Sequence, residues 1–321
     1  MMKAVAAQPG LKLQVVAAGM HLLPKFGRTV DAIRRDGWRV DALVPMQSGS
    51  DRPLDQARGL SRGVEGIARF IERGRTDIVV VLGDRIEAMA GALAAVTTGR
   101  VLAHIHGGDV APGDFDDSLR HAITKLAHVH FAATRRAAWR IVRMGEDRWR
   151  VHVVGAPGLD RLRELIAQEP RRRGRSGTAL IVQHACGRPA SLEQRVMSSV
   201  LTAVRTVGLR RLIVYPNTDR GHSGVLRAIR SHRRASRAGE VEVVRSLARD
   251  EYLRALLRAD VLVGNSSSGI IEAPLAGTPS VDVGSRQAGR EPGGRSIVHA
   301  REDARSIVAA LRRALLSLIH I

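Results

Sequence analysis

Short apolar runs alternate with stretches of helical period along almost the whole chain. Runs at 12–18, 77–82, 101–105, 128–132 and 151–154 read as strands in the first half. Runs at 179–183, 211–215, 240–244, 261–263 and 280–283 read the same way in the second. Between them lie amphipathic stretches: Leu119, Ala122, Ile123 and Leu126 recur at i, i+3, i+4 and i+7, which predicts a helix starting near Asp116. Buried-type strands alternating with helices predict parallel sheets covered by helices. At 169–177 the pattern breaks into EPRRRGRSG, where proline, glycine and unbroken charge predict a linker between a domain at 1–168 and a second at 178–321. Doubly wound domains of this kind place their ligands beyond the carboxyl ends of the strands, in a cleft.

The polar residues that follow those strand ends are therefore the candidate chemistry. The run at 261–263 ends in Gly264-Asn265 and then Ser266, Ser267, Ser268 and Gly269, which open a short helix. Hydroxyls and free backbone N–H groups at a helix start suit an anionic group, beyond what a simple helix cap needs. Glu272, six residues after Ser266, is placed to hold the other end of the same ligand. Asp84 and Arg85 follow the run at 77–82, where Asp84 is also a candidate helix cap. His104, His106, Gly107, Gly108 and Asp109 end the next strand, and Asp116, Asp117, Arg120 and His121 open the following helix. On that helix Asp116 can reach Arg120 and Asp117 can reach His121, each four residues on. Clustered acids and histidines between strand and helix also supply what proton transfer requires. His184 and the segment Tyr215-Pro216-Asn217-Thr218-Asp219 sit at strand ends in the second half.

Composition narrows the classes. A length of 321 residues suffices for two domains, and 44% hydrophobic content with 3% aromatics predicts cores of Ala, Val, Leu and Ile. The net charge of +20 invites a nucleic-acid partner, but only Lys3, Lys12, Lys25 and Lys125 among the 51 basic residues are lysines, and the arginines are scattered. With few aromatics for base stacking and no nucleic-acid module, no nucleic-acid partner is expected. A basic surface does attract phosphate-bearing small molecules over long range. Cys186 is the only cysteine, so no disulfide framework and no cysteine zinc site is expected. The His–Asp alternation at 104–121 matches no zinc spacing, so no metal is expected either. No apolar run approaches the ~18 residues of a membrane helix, and the opening MMKAVAAQPG has no signal-type hydrophobic region. A soluble cytoplasmic protein with no membrane partner is the expectation.

Taken together, Gly83-Asp84-Arg85, HIHGGD leading to DDSLRHAITKLAHVHF, GAPGLD at 155–160, Gln183-His184, YPNTD at 215–219, GNSSSGIIEAP and GSRQAGR at 284–290 resemble the UDP-N-acetylglucosamine 2-epimerase family. The likeness is greatest to its hydrolysing branch, which releases N-acetylmannosamine for sialic-acid-type sugars. The motifs span nearly the whole chain in the family's order. The resemblance implies an α/β fold of two Rossmann-like doubly wound domains in the GT-B arrangement, with a UDP-sugar substrate in the interdomain cleft. It implies Asp84, Asp116, Asp117 and His184 as the catalytic set, joined by His106, which stands where many relatives carry a glutamate. Ser266, Ser267, Ser268 and Glu272 would contact the diphosphate and ribose, Arg286 the phosphate, and Arg85 and Asn217 the substrate. The family's chemistry eliminates the nucleotide from carbons 1 and 2 of the sugar to give a glycal, to which water adds with inversion at carbon 2, and it needs no redox cofactor. A homodimer or homotetramer is implied.

Alternatives are a non-hydrolysing 2-epimerase, whose product keeps its nucleotide, and a non-catalytic sugar-nucleotide binder. Compared with the family pattern, the chain reads as a fragment lacking both an opening strand with its Gly-Ser-Arg-Ala-acidic loop and a closing helix, with 317–321 unlike that closing segment. The opening strand would lie in the middle of the first sheet, so apolar faces beside it are expected to be exposed. Weak stability and low turnover are accordingly expected of residues 1–321, and a purified chain with full activity would refute this.

Overall fold

The computed structural model describes residues 1–48, 52–110, 116–169, 176–291 and 293–317. Two compact units emerge, the first from residues 1–109 and 116–157, the second from 158 onward. Both are α/β, and every strand pair in them is parallel.

In the first unit β1 (Val16–Ala18) pairs with β2 (Ala42–Val44). A second sheet runs in chain order through β3 (Ile78–Leu82), β4 (Val101–Ile105), β5 (Val129–Ala132) and β6 (Val151–Val153). Parallel neighbours need crossover connections, and helices provide them. Helix Pro53–Gly74 opens with proline in its first turn, where the missing N–H costs nothing. Its Ile67 and Ile71 are buried with Val44, Met46, Ala90 and Ala94. The alanine-rich helix Ile86–Thr97 serves both sheets: Ala90 and Ala94 join that cluster, while Ala92 and Ala95 pack with Val81, Leu102 and Ile123. Small side chains allow this close double contact. Along β3, Ile78, Val80 and Leu82 are about half exposed and, with Val16 and Ala18 of β1, line a groove of about 300 Å³.

The second unit holds a six-stranded sheet from β7 (Thr178–Val182), β8 (Arg210–Val214), β9 (Val241–Val244), β10 (Val261–Gly264), β11 (Ser280–Val283) and β12 (Ile297–Ala300). Its order is β12-β11-β10-β7-β8-β9, so the winding reverses between β7 and β10. One face is covered by helices Ala190–Thr206, His222–Arg234 and Ala304–Ser317 around Ile181, Val200, Val263 and Leu311. The other packs Leu180, Leu262, Leu253 and Leu256 against helix Gly158–Gln168. No helix among the described residues is long and apolar enough to cross a membrane.

The structure departs from the sequence reading in two places. The units divide between Pro157 and Gly158, ahead of the expected boundary at 168–169. Helix Gly158–Gln168 belongs to the second unit because its fully buried Leu162 and Leu165 share the Leu180–Leu262 cluster. Residues 170–175 of the charged stretch, and 318–321 of the closing segment, lie outside the described residues. Strands β2 and β12 were also not anticipated. β2 is three residues long and closed by Pro45, and β12 is a four-residue edge strand among polar neighbours, so neither shows a usable two-residue period. Leu165→Ala is expected to lower stability by about 2–5 kcal/mol, read as an earlier urea midpoint for the second unit.

Candidate active site

β3 and β4 are hydrogen-bonded neighbours, so the turns at their carboxyl ends lie side by side. After β3, Gly83 turns the chain and donates its N–H to Ile105 O at 2.9 Å. After β4, His106 takes a left-handed φ of 64°, which costs a non-glycine residue about 1–3 kcal/mol and persists only where the surroundings hold it. Gly108 follows with φ of 71°, and a Cβ there would lie 2.4 Å from Ala137 O, so only glycine fits.

Helix Asp116–Leu126 brings a third element to these turns. Its Arg120 side chain is 1% exposed and forms an ion pair with the Asp84 carboxylate. The same guanidinium lies 3.8 Å from Asp117 Oδ1 and donates to His106 O at 3.4 Å. One buried cation therefore gathers Asp84, His106 and Asp117. Asp84 is not the helix cap: Arg85 is the N-cap residue of helix Ile86–Thr97, with no side-chain cap bond. Asp117 also approaches His121 Nε2 at 3.7 Å, the expected four-residue pairing. His106 Nδ1 lies 3.2 Å from Asp109 Oδ2. Arg85 donates to Glu87 Oε2 at 3.2 Å. Asp116 begins the helix, and its side chain lies outside the described residues.

Beneath the turns, His104 is fully buried, its Nε2–H donating to Gly83 O at 2.8 Å and its Nδ1 lying 3.2 Å from Thr124 Oγ1. Burial holds its pKa down at about 4, so the ring is neutral at neutral pH. At the far end of the helix Lys125 pairs with the buried Glu146 at 2.5 Å.

In the second unit the corresponding place is the reversal between β7 and β10, where open α/β sheets bind ligands. Gly264 ends β10 with φ of 138°, and a Cβ there would lie 2.1 Å from Val182 O. Helix Ser268–Ala276 follows. Ser267 precedes it and makes no side-chain cap bond, while Ser266 Oγ accepts from the Ser268 N–H at 3.3 Å. Ser268 is buried and its Oγ accepts from the Tyr252 hydroxyl at 2.7 Å, which fixes the helix start against its neighbour. Glu272, on the same helix, is paired with Arg249 at 3.0 Å. His184, just past β7, accepts the Asn217 N–H on Nδ1 at 3.1 Å. Asn217 Nδ2 in turn donates to Asp219 Oδ2 at 2.5 Å. Arg286 lies 3.9 Å from the same Asp219 oxygen and donates to Asn265 O at 3.4 Å.

The sequence marked Arg120, His104, Asn265 and Asp219 only as members of their segments, and their pairings come from the structure: Arg120 as the hub, His104 beneath the turns, and Asn265 and Asp219 in the second group. Arg120 stands one turn after the acidic pair, and Asn265 directly precedes the serines. Those positions were the available signals.

A family model described as UDP-N-acetylglucosamine 2-epimerase matches residues 3–319. The chain belongs to the UDP-N-acetylglucosamine 2-epimerase family. A UDP-N-acetylglucosamine 2-epimerase of Neisseria meningitidis is 32% identical over 313 residues, covering 95% of this chain and 80% of that protein. A UDP-N,N'-diacetylbacillosamine 2-epimerase (hydrolyzing) of Legionella pneumophila is also 32% identical, over 95% of this chain and 81% of that one. The crystal structure of the UDP-GlcNAc 2-epimerase of N. meningitidis bound to UDP-GlcNAc shares the fold, with TM-score 0.74 and 13% identity over 97% of this chain and 86% of that one.

Among the described residues of this epimerase-family chain, no three His, Cys, Asp or Glu side chains gather as metal ligands. The neutral state of His104 carries a pH dependence. Unfolded histidine titrates near 6.5, so between that value and about 4 the unfolded chain binds the extra proton and stability falls as pH falls. Burial lowers His21, His130 and His232 in the same direction. Urea titrations from neutral to acid pH are expected to show this decline, with a shallower slope in His104→Gln.

Proposed function

We propose that the chain is a hydrolysing sugar-nucleotide 2-epimerase, converting UDP-N-acetylglucosamine or a related nucleotide sugar and water to an N-acetylmannosamine-type sugar and UDP. The observation that carries this reading is the Arg120 cluster, which collects Asp84, Asp117 and His106 at adjoining strand ends. A carboxylate at the start of helix Asp116–Leu126, Asp116 or Asp117, removes the proton from carbon 2 as the carbon 1–oxygen bond to the diphosphate breaks. Water then adds across the glycal, its oxygen to carbon 1 and its hydrogen to carbon 2 on the inverted face. His106 suits this second proton transfer because an imidazole ring carries both a donor and an acceptor nitrogen. Ser266, Ser267 and the N-terminus of helix Ser268–Ala276 hold the diphosphate, with Arg286 as its counter-charge. Glu272 and Asn217 bind the nucleoside, and Arg85 the departing phosphate.

Support for hydrolysis comes from the Legionella relative, whose name includes it. The Neisseria relative of equal identity is named a UDP-N-acetylglucosamine 2-epimerase without that word, and the non-hydrolysing reaction is the alternative. Incubation with UDP-N-acetylglucosamine in deuterated water, followed by proton NMR, separates them. Free N-acetylmannosamine deuterated at carbon 2, together with UDP, is the expected result. An equilibrium of two UDP-sugars would establish the non-hydrolysing reaction, and binding without turnover would leave a binder of that nucleotide. Asp116→Asn is expected to lower turnover by about 10²–10⁴-fold while UDP binding, followed by calorimetry, is retained; unchanged turnover removes Asp116 from the reaction.

A further inference from the structure

Building on the reading of Glu272 as a nucleoside ligand, we propose that Arg249 is the positioning residue that fixes Glu272 as the acceptor of the ribose hydroxyls, and that Gly158 is the glycine its guanidinium needs beside it. Gly158 opens helix Gly158–Gln168, Arg249 opens helix Arg249–Arg258, and Glu272 stands one turn into helix Ser268–Ala276. All three belong to the second unit. Arg249 Nη2 donates to Gly158 O at 2.7 Å and to Glu272 Oε1 at 3.0 Å. A terminal guanidinium nitrogen carries two hydrogens, so both are committed and the group is held from two sides.

Helix energetics do not explain an arginine at this place. A cation in the first turn opposes the helix dipole, at a cost of about 0.3–1 kcal/mol. The favourable charges at that helix start are Asp250 and Glu251, and Glu251 already accepts the Ala248 N–H at 2.9 Å. What Arg249 gains therefore lies on two other helices. Its side chain is 41% exposed and that of Glu272 only 13%, so the carboxylate is the more enclosed partner and the one whose direction the pair decides. Among the described residues Glu272 makes no other hydrogen bond or ion pair, and with Oε1 engaged its Oε2 remains as an acceptor. An ionised carboxylate only accepts, and the 2′- and 3′-hydroxyls of a ribose are donors that match it. Gly158 completes the arrangement. A Cβ on it would lie 3.2 Å from Arg249 Nη2 and 3.6 Å from Glu272 Oε1, so even a methyl group presses on the guanidinium. Its backbone lies outside the left-handed region, so the demand for glycine comes from the guanidinium and not from the turn. The fourth residue of GAPGLD at 155–160 thereby acquires a physical reason.

Calorimetric titration of the full chain with UDP and with 2′,3′-dideoxy-UDP reads the clamp, because the second nucleotide keeps base and diphosphate but lacks the hydroxyls. The parent chain is expected to prefer UDP by about tenfold. Arg249→Met keeps an apolar stem and removes the guanidinium. It should weaken UDP about three- to tenfold and leave 2′,3′-dideoxy-UDP within about twofold. Gly158→Ala should act in the same direction to a smaller degree, and it tests the clamp even where Arg249→Met fails to fold; a parental preference in Gly158→Ala overturns the part given to Gly158. In a Glu272→Gln chain, where the hydroxyl preference is already lost, Arg249→Met should add no further loss for UDP. Equal weakening of both nucleotides by Arg249→Met marks a general charge or folding effect and overturns the positioning role, as does an unchanged UDP affinity. If Glu272→Gln abolishes the preference and Arg249→Met does not, the positioning role falls while Glu272 stands as a nucleoside ligand. If the parent binds both nucleotides equally, or Glu272→Gln leaves the preference intact, the nucleoside reading of Glu272 falls and the role of Arg249 with it.

Discussion

The Arg120 side chain is 1% exposed, and taking a guanidinium out of water costs several kcal/mol unless its donors are met. The groups drawn around it organise the end of the first sheet. Asp84 comes from the turn after β3, the His106 carbonyl from the turn after β4, and Asp117 from the start of Arg120's own helix. Removing the Asp84 carboxylate would break a buried ion pair, a loss of about 3–5 kcal/mol. The left-handed backbone of His106 is tolerated within that frame. His104 supports it from below as a neutral donor to Gly83 O, and the Lys125–Glu146 pair fixes the other end of the helix.

The second unit solves the same problem with a neutral group. Where β7 and β10 diverge, backbone donors and acceptors would go unmet, and the Asn265 amide satisfies both at His184. An amide is the economical choice because it donates and accepts at once and carries no charge to desolvate. The same loop leads into the serines and the start of helix Ser268–Ala276, so the anchoring of His184 and the placement of that helix start are one structural event.

The arginine excess acquires a structural meaning in this light. Arg161 pairs with Asp250, Arg188 with Glu193 and Glu302, Arg211 with Glu240, Arg249 with Glu272, and Arg254 with Glu169. These pairs join helices, strand ends and loops through the second unit, and they are spread along the chain. The planar, multi-donor guanidinium suits such multiple bonding better than an ammonium, which fits a basic set with only four lysines.

Local pattern alone established much of this protein. The strands at 101–105 and 280–283 occupy the residues their apolar runs marked, and polar residues were found at the carboxyl ends of the parallel strands. Family membership was legible as well, because its motifs are short, ordered and local. Strands β2 and β12 were not, since three or four half-buried residues carry no period, and the unit boundary was not, since helix Gly158–Gln168 looks alike whichever core receives Leu162 and Leu165. The pairings at the sites belong to the tertiary structure. Asp84 and Arg120 are 36 residues apart, and His184 and Asn265 are 81 apart. Sequence spacing shows which residues end a strand, but only the order of strands in the sheet decides which ends become neighbours, and burial then decides which polar groups must pair.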